Sequence, residues 1–274
     1  MLFIVLALLG LCFGSFTNAL VWRIHEQEEK KKLTKKQQRE LSIVHGRSMC
    51  VHCKHSLAWY DLLPVLSWLS LKGKCRYCGK PIEDSPLVEL LTAGLFVWSY
   101  VAWPYGWETL GTTLFCFWLV FLVGFMALAV YDLRWMLLPN RIVYLLIALS
   151  VLQVFVKLGL SDDKGLVLSQ AFWGLLVIGG LFYGLFQLSK GKWIGGGDVK
   201  LSFMIGLLVG GPLNSILAIF VASFLGSLVS LPMIAKKSLK PTSHIPFGPF
   251  LLIATAVVYL YGARVADWYT STLL

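Results

Sequence analysis

The chain alternates long apolar runs with short polar breaks, and the runs recur from end to end. Apolar stretches cover residues 1–21, 87–101, 110–131, 141–158, 169–188, 199–209, 213–234 and 247–268. Most approach the roughly 20 residues that a helix needs to cross a bilayer. The pattern predicts an all-α polytopic membrane protein of about eight transmembrane helices. The sixth run is short and flanked by glycines, so seven is the alternative count. No basic residue precedes the first run, which argues for a retained helix with its N-terminus outside rather than a cleaved signal. Residues 23–86 form the one substantial polar insert, dividing the chain into a first helix (1–22), the insert and a membrane domain (87–274). Within the insert, residues 26–39 are dense in Glu, Lys and Gln and predict a solvated helix.

Composition supports this class. Hydrophobic residues make up 57% and charged residues 14%, against roughly 25% charged in an average soluble domain. The net charge of +10 invites a nucleic-acid reading, but the basic residues sit in the insert and at the ends of apolar runs. Thirteen lie between Arg23 and Lys80. With the insert in the cytoplasm, Arg134, Arg141, Lys190, Lys192, Lys200, Lys236, Lys237 and Lys240 bring the inner total to 21; only Lys157, Lys164 and Arg264 fall outside. That asymmetry fixes orientation, with both termini outside, and makes the bilayer rather than nucleic acid the partner.

The same topology sorts the acids. Of the carboxylates beyond Leu90, Glu108, Asp162, Asp163 and Asp267 belong to the outer face, leaving Asp132 and Asp198 at the cytoplasmic edge. An ionised group beside an apolar run is costly and seldom retained without a use. Asp198 follows Gly195-Gly196-Gly197, a triplet that disfavours regular helix, and irregular backbone at membrane depth is tolerated only where it lines protein or a wet cavity. Two carboxylates within reach of one another share a proton and titrate as a pair, so one can take a proton from water while the other polarises a carbonyl. A proton relay in a coupled transporter, or ion pairs of Asp132 with Arg134 and Asp198 with Lys200, are the alternatives that spacing leaves open.

The cysteines divide into two sets. Cys50-Val51-His52-Cys53 and Cys75-Arg76-Tyr77-Cys78 form paired knuckles of the zinc-ribbon kind, a structural site because four thiolates leave no open position. Two disulfides are the rival, disfavoured in a reducing cytoplasm. His52 and His55 read as solvated loop residues. Cys12 and Cys116 stand alone in apolar runs and are expected to be inert core thiols.

Taken together, these motifs resemble the bifunctional type IV prepilin peptidases, integral-membrane aspartyl proteases that are also N-methyltransferases. Gly14-Ser15-Phe16 with Asn18 and Arg23 looks like the family's opening. The four cysteines, with residues 63–68 between the knuckles and 86–90 after them, look like its cytoplasmic domain. Asp132 with Leu138-Pro139-Asn140 resembles the first catalytic motif and Gly195-x-Gly197-Asp198-x-Lys200 the second. Pro246-Phe247-Gly248-Pro249 resembles the motif opening the last span and is expected to shape backbone beside the site. Where the family often has a proline soon after the arginine, this chain has Ile24-His25. Presenilin and signal peptide peptidase share the acidic motifs but carry a Pro-Ala-Leu-Pro motif absent here. The resemblance implies a bacterial inner-membrane enzyme whose partner is a type IV prepilin or pseudopilin, cleaved after a glycine at the cytoplasmic edge. It also implies S-adenosylmethionine-dependent methylation of the new N-terminus. Lys200 is a candidate for stabilising charge near the carboxylates, and Arg134 and Arg141 read as orientation anchors.

Overall fold

A computed structural model describes residues 1–30, 34–82, 84–235 and 245–273. The predicted charges at Lys31, Lys32, Lys236, Lys237 and Lys240 therefore lie outside the described residues. The described chain is helical, with two isolated antiparallel β-bridges, Met49 to Ser56 and Lys74 to Pro81. It forms two compact units, Met1–Val101 and Ala102–Leu274.

The first unit is built on α1 (Leu2–Glu29) and α4 (Leu87–Val101). Their contact is set by small residues: a Cβ on Gly10 would lie 2.5 Å from the Ala93 Cα, and one on Gly14 2.5 Å from the Glu89 Cα. Two glycines one turn apart facing two residues one turn apart let the backbones touch, which maximises dispersion where water offers no driving force. Leu2, Phe3, Ile4, Leu8, Leu9 and Phe13 are exposed on the rest of α1, as a lipid-facing surface requires. Cys12 is exposed as well, which corrects its expected burial; a helix that is apolar all round does not announce which face is inside.

Helix α1 also runs to Glu29, seven residues beyond the predicted end of the first helix at 22. With Ile24-His25 in place of a proline, nothing removes an N–H or clashes with the preceding turn. The extension carries Arg23, 6% exposed, whose guanidinium donates to the carbonyls of Ser42 (2.6 Å), Ile43 (3.3 Å) and Gly46 (2.9 Å). Gln27 donates to the Leu41 carbonyl at 2.7 Å. The predicted helix over 26–39 is thus divided: α1 ends at Glu29, and a separate α2 (Lys35–Glu40) starts at a capping box made by Thr34 and Gln37. A short turn at Trp59–Leu62 and α3 (Leu66–Ser70) complete the insert. Its buried anchor is Asp61, whose carboxylate accepts from Arg76 Nε (2.8 Å), the Tyr77 hydroxyl (2.9 Å) and the Ala58 N–H (3.2 Å). Burial alone would raise this carboxyl, but the hydrogen bonds from Arg76, Tyr77 and Ala58 outweigh it and hold it below the usual range.

The second unit comprises α5 (Thr109–Trp135), α6 (Asn140–Leu160), α7 (Lys164–Gly174), α8 (Gly180–Ser189), α9 (Gly196–Val209), α10 (Pro212–Ala235) and α11 (Gly248–Leu273). Helices α7 and α8 are one path joined by a π-turn at Leu175–Gly179, beside the point where the backbones of Gly174 and Gly206 meet too closely for any side chain on either. Among the described residues six helical paths are long and apolar enough to cross a membrane; α4, at 15 residues, is a shorter apolar helix. Helix α9, at 14 residues, rises only about 21 Å, short of the roughly 30 Å hydrocarbon core. It is tolerated because it packs against α6, α7, α8 and α11, with Leu201, Met204 and Ile205 fully buried. Cys116 is exposed on α5, again not the core thiol expected. At the N-terminal end of α5, Trp118 stacks on Tyr259 (centroids 4.3 Å, 9°) and Gln153 donates to the Tyr259 hydroxyl at 3.2 Å, locking α5, α6 and α11 together.

Leucine at Gly10 or Gly14 should force α1 from α4, a clash costing about 1–3 kcal/mol or more. Leucine at Gly94, where an added Cβ meets nothing within 4 Å, should be neutral. The yield of monodisperse detergent-solubilised protein is the readout: a several-fold fall for the first two, none for the third.

Candidate functional site

Three helix ends in the second unit define one cavity of about 530 Å³, within the roughly 300–1,000 Å³ usual for ligand sites. Its walls come from the C-terminus of α5 with the turn to α6, from the glycine run opening α9, and from the approach to α11. Asp132 and Asp198 both line it, and the charge of one acts on the other. Asp132 is 5% exposed and Asp198 half-buried.

Each carboxylate is held by backbone. In α9, Gly195 is the N-cap and Asp198 the third helical residue; its side chain reaches back to the Gly195 N–H, the reciprocal half of a capping box. The first N–H groups of a helix lack intrahelical partners and form an anion-binding end. Asp132 uses the same device across the bundle, taking the N–H of Gly248, the first residue of α11. Pro249 has no N–H to offer, which costs nothing in a first turn. A Cβ on Gly248 would lie 2.5 Å from Asp132 Oδ2, so only glycine allows this approach. On the other side Leu138 closes the wall: an added Cβ at Gly197 would stand 3.1 Å from its side chain. Met136 ends α5 in the left-handed region (φ 53°), and its N–H donates to the Asp132 carbonyl at 2.8 Å.

The sequence-predicted residues Asp132, Asp198, Gly195, Gly197, Pro246 and Phe247 all line the cavity, and Gly248 touches Asp132. Lys200 does not: its ammonium donates to Asn140 Oδ1 at 2.7 Å and lies 5.2 Å from the Tyr144 ring centroid. It therefore ties α9 to the start of α6 rather than meeting Asp198. Leu138, Asn140, Trp193 and Ile245 also line the cavity. Of these only the Leu138-Pro139-Asn140 turn had a sequence signal, because loop residues earn their place by tertiary position.

The four cysteines of the insert form a second candidate centre. Their sulfurs lie within 4.8 Å of one another, and Cys50 Sγ to Cys78 Sγ is 3.9 Å. Disulfides need about 2.05 Å, so the thiols are free. A tetrahedron with metal–sulfur bonds of about 2.3 Å has edges near 3.8 Å, so the donor set fits a zinc-sized ion. The two knuckles repeat one local fold: Cys50 N–H to the His55 carbonyl (3.0 Å) matches Cys75 N–H to the Lys80 carbonyl (2.8 Å). Each second cysteine is followed by a left-handed residue, Lys54 (φ 58°) or Gly79 (φ 69°). His55 is engaged as well, its ring 3.7 Å from that of Tyr77.

The model of the bacterial peptidase A24 N-terminal domain matches residues 8–103, and that of the type IV leader peptidase family matches residues 114–231. The prepilin leader peptidase/N-methyltransferase of Aeromonas hydrophila is 34% identical, over 83% of this chain and 76% of its own length. Proteins of the same name from Aeromonas salmonicida (31%; 99% and 95%) and Pseudomonas aeruginosa (32%; 96% and 91%) are similar over still more. No solved structure matches significantly. With both family models matched in order, one on each compact unit, and such relatives along most of its length, this chain belongs to the type IV leader peptidase family.

Proposed function

We propose that this chain removes the leader from type IV prepilins or pseudopilins and methylates the new N-terminus, with Asp132 and Asp198 as the cleaving pair. The observation that carries the first half is the single cavity in which the two acids meet, each fixed by a backbone N–H. One carboxylate takes a proton from water as its oxygen attacks the scissile carbonyl. The other gives its proton to the carbonyl oxygen; as the C–N bond breaks, the first passes the proton taken from water to the leaving amine and the second recovers its own from a hydroxyl of the tetrahedral intermediate. Gly195 and Gly248 orient the pair, and Pro246 and Phe247 offer irregular backbone beside it for an extended substrate. The transporter alternative loses its basis, since the relatives carry peptidase and methyltransferase names.

The orientation follows from the same ends. Alternating spans put the end of α5 and the starts of α9 and α11 on one side, and these three ends meet in one cavity. Arg134, Arg141, Lys190, Lys192 and Lys200 belong to those ends, whereas Lys157 and Lys164 belong to the opposite ones. On this reading eight helices cross or enter the bacterial inner membrane, residues 23–86 are cytoplasmic, and both termini are outside. Cys50, Cys53, Cys75 and Cys78 hold a structural zinc that fixes the fold of the insert. S-adenosylmethionine, when bound, supplies the methyl group.

Asp132→Asn and Asp198→Asn should each lower cleavage of a prepilin by about a thousandfold or more, and the double variant should be no worse, because paired groups act as a unit. A single variant with normal turnover would remove that residue from the mechanism. Gly248→Ala should cost roughly a hundredfold, the scale of a 1 Å misplacement, with folded yield retained. Cys50→Ser or Cys78→Ser should release about one metal equivalent, read by elemental analysis, and unchanged metal content would exclude a four-thiolate site.

A further inference from the structure

Helix α4 has 15 residues and rises about 22 Å, short of the roughly 30 Å hydrocarbon core. Its partner α1 supplies the scale. Phe3 meets Tyr100 (ring centroids 5.2 Å), and Gly10 and Gly14 meet Ala93 and Glu89, so the antiparallel register puts Leu87, the first residue of α4, opposite Phe16. Helix α1 carries no charged side chain from Leu2 to Trp22, about the 20 residues that a crossing needs. The inner boundary falls at Trp22, with Lys54 Nζ 5.2 Å from its ring centroid, and at Arg23, the first charged side chain. Rings and cations gather at that interface. Residues 17–21 of α1, about 8 Å of rise, thus lie in hydrocarbon beyond the end of α4.

The insert reaches that level. Val65 donates its N–H to Glu89 at 2.6 Å, and Glu89 faces Gly14, about two and a half turns short of Arg23. Leu62 and Pro64 share a cavity of about 300 Å³ with Cys12, Phe16 and Leu20, on a side of α1 where Cys12 and Phe16 are exposed. These contacts come from an uncharged part of the insert. Between Asp61 and Lys72 stand ten residues, eight of them apolar, and Leu66 and Leu69, one turn apart on α3, are 65% and 58% exposed. An exposed apolar face of this kind marks an interaction surface. Irregular backbone is tolerated at membrane depth only where its polar groups find partners in the protein. Pro64 has no N–H to satisfy, and the N–H groups of Ser67, Leu69 and Leu71 donate to the carbonyls of Leu63, Val65 and Ser67 at 3.1, 2.9 and 3.0 Å. The Ser70 hydroxyl donates to the Ser67 carbonyl at 2.9 Å. Val65, β-branched, sits at φ 60°, a conformation that needs an outside restraint, and its bond to Glu89 clamps the stretch to α4.

We propose that residues 62–71 form a re-entrant element that enters the cytoplasmic leaflet beside α4, with the acyl chains of the bilayer as its partner. It continues the lipid-facing surface of α1 as far as the interface and supplies the depth that α4 lacks. The two knuckles stand at the ends of residues 54–74, and their sulfurs meet within 4.8 Å, so the cysteine cluster closes the loop that carries this element. The cytoplasmic assignment of residues 23–86 is narrowed to the parts on either side of it. The proposal rests on α1 crossing the membrane and does not depend on the catalytic reading.

The experiment uses the unaltered full chain in nanodiscs of phosphatidylethanolamine and phosphatidylglycerol. One preparation contains a phospholipid with a diazirine midway along its acyl chain, and a second contains one with the diazirine on its headgroup. After irradiation the labelled residues are mapped by peptide mass spectrometry, and hydroxyl-radical oxidation of the same discs reports access to water. Tail label per residue on 62–71 should come within about threefold of that on the lipid-facing part of α1, and stand about tenfold or more above that on the exposed helix α2. Leu66 and Leu69 should resist oxidation. Headgroup label on 62–71 without tail label would leave the stretch at the membrane surface and overturn the proposal. Oxidation of Leu66 and Leu69 without either label would place them in water, and neither label nor oxidation would place them against protein; both results also overturn it. Absence of tail label from α1 itself would overturn the span reading on which the proposal rests, and it is read separately in the same spectra.

Discussion

The second unit depends on the contact between a helix-end N–H and a buried carboxylate. An ionised acid in an apolar bundle has lost its water, and the loss is tolerable only if the protein supplies donors in its place. Here the donors are backbone groups that the ends of α9 and α11 leave unpaired in any case. One interaction thus satisfies two orphans, and it dictates where helices must stop. Helix α9 begins at Gly196 so that Asp198 can close back on Gly195, and α11 begins at Gly248 so that its first amide meets Asp132. Three helix ends converge there, two of them each serving a carboxylate, and the convergence leaves a cavity instead of a packed core.

Glycine has a consistent purpose across both units. At Gly248 it lets backbone reach a carboxylate; at Gly10 and Gly14 it lets backbone reach backbone. The α1–α4 contact would be unremarkable packing were it not for Glu89, which the Gly14 approach brings beside Ser15 and within reach of the Val65 amide. A side chain at Gly14 would push that carboxylate away from the α1 residues it now faces. Helix contact in this unit therefore places a polar group, just as helix termination does in the other.

Much of this was legible in the chain itself. The eight apolar runs correspond to eight helical paths, because backbone in hydrocarbon has so few alternatives to helix. The meeting of Asp132 and Asp198 followed from counting spans and asking which acids were left on one side. The cysteine cluster followed from spacing alone. What the chain concealed was direction around each helix axis. A span that is apolar on all sides carries little signal for its inner face, so Cys12 and Cys116 were misplaced. The pairing of Lys200 with Asn140 belongs to the same category. The overrun of α1 to Glu29 was half-visible: the missing proline after Arg23 was read as a departure, yet its physical meaning is that nothing there stops a helix.

The two candidate centres are also unlike in their chemistry. Four thiolates around one ion complete a tetrahedron and leave no position for water or substrate, so a metal there works by fixing residues 48–82 in their fold. The carboxylate pair, by contrast, is open to a cavity lined by residues of the second unit. A change that loosens the insert would reach Trp68 and the Val65 turn, and with them the environment of Glu89, through the chain and hydrogen bonds already described. The helix ends that hold Asp132 and Asp198 owe their geometry to Gly195, Gly248 and the enclosure of α9, none of which lies in that unit.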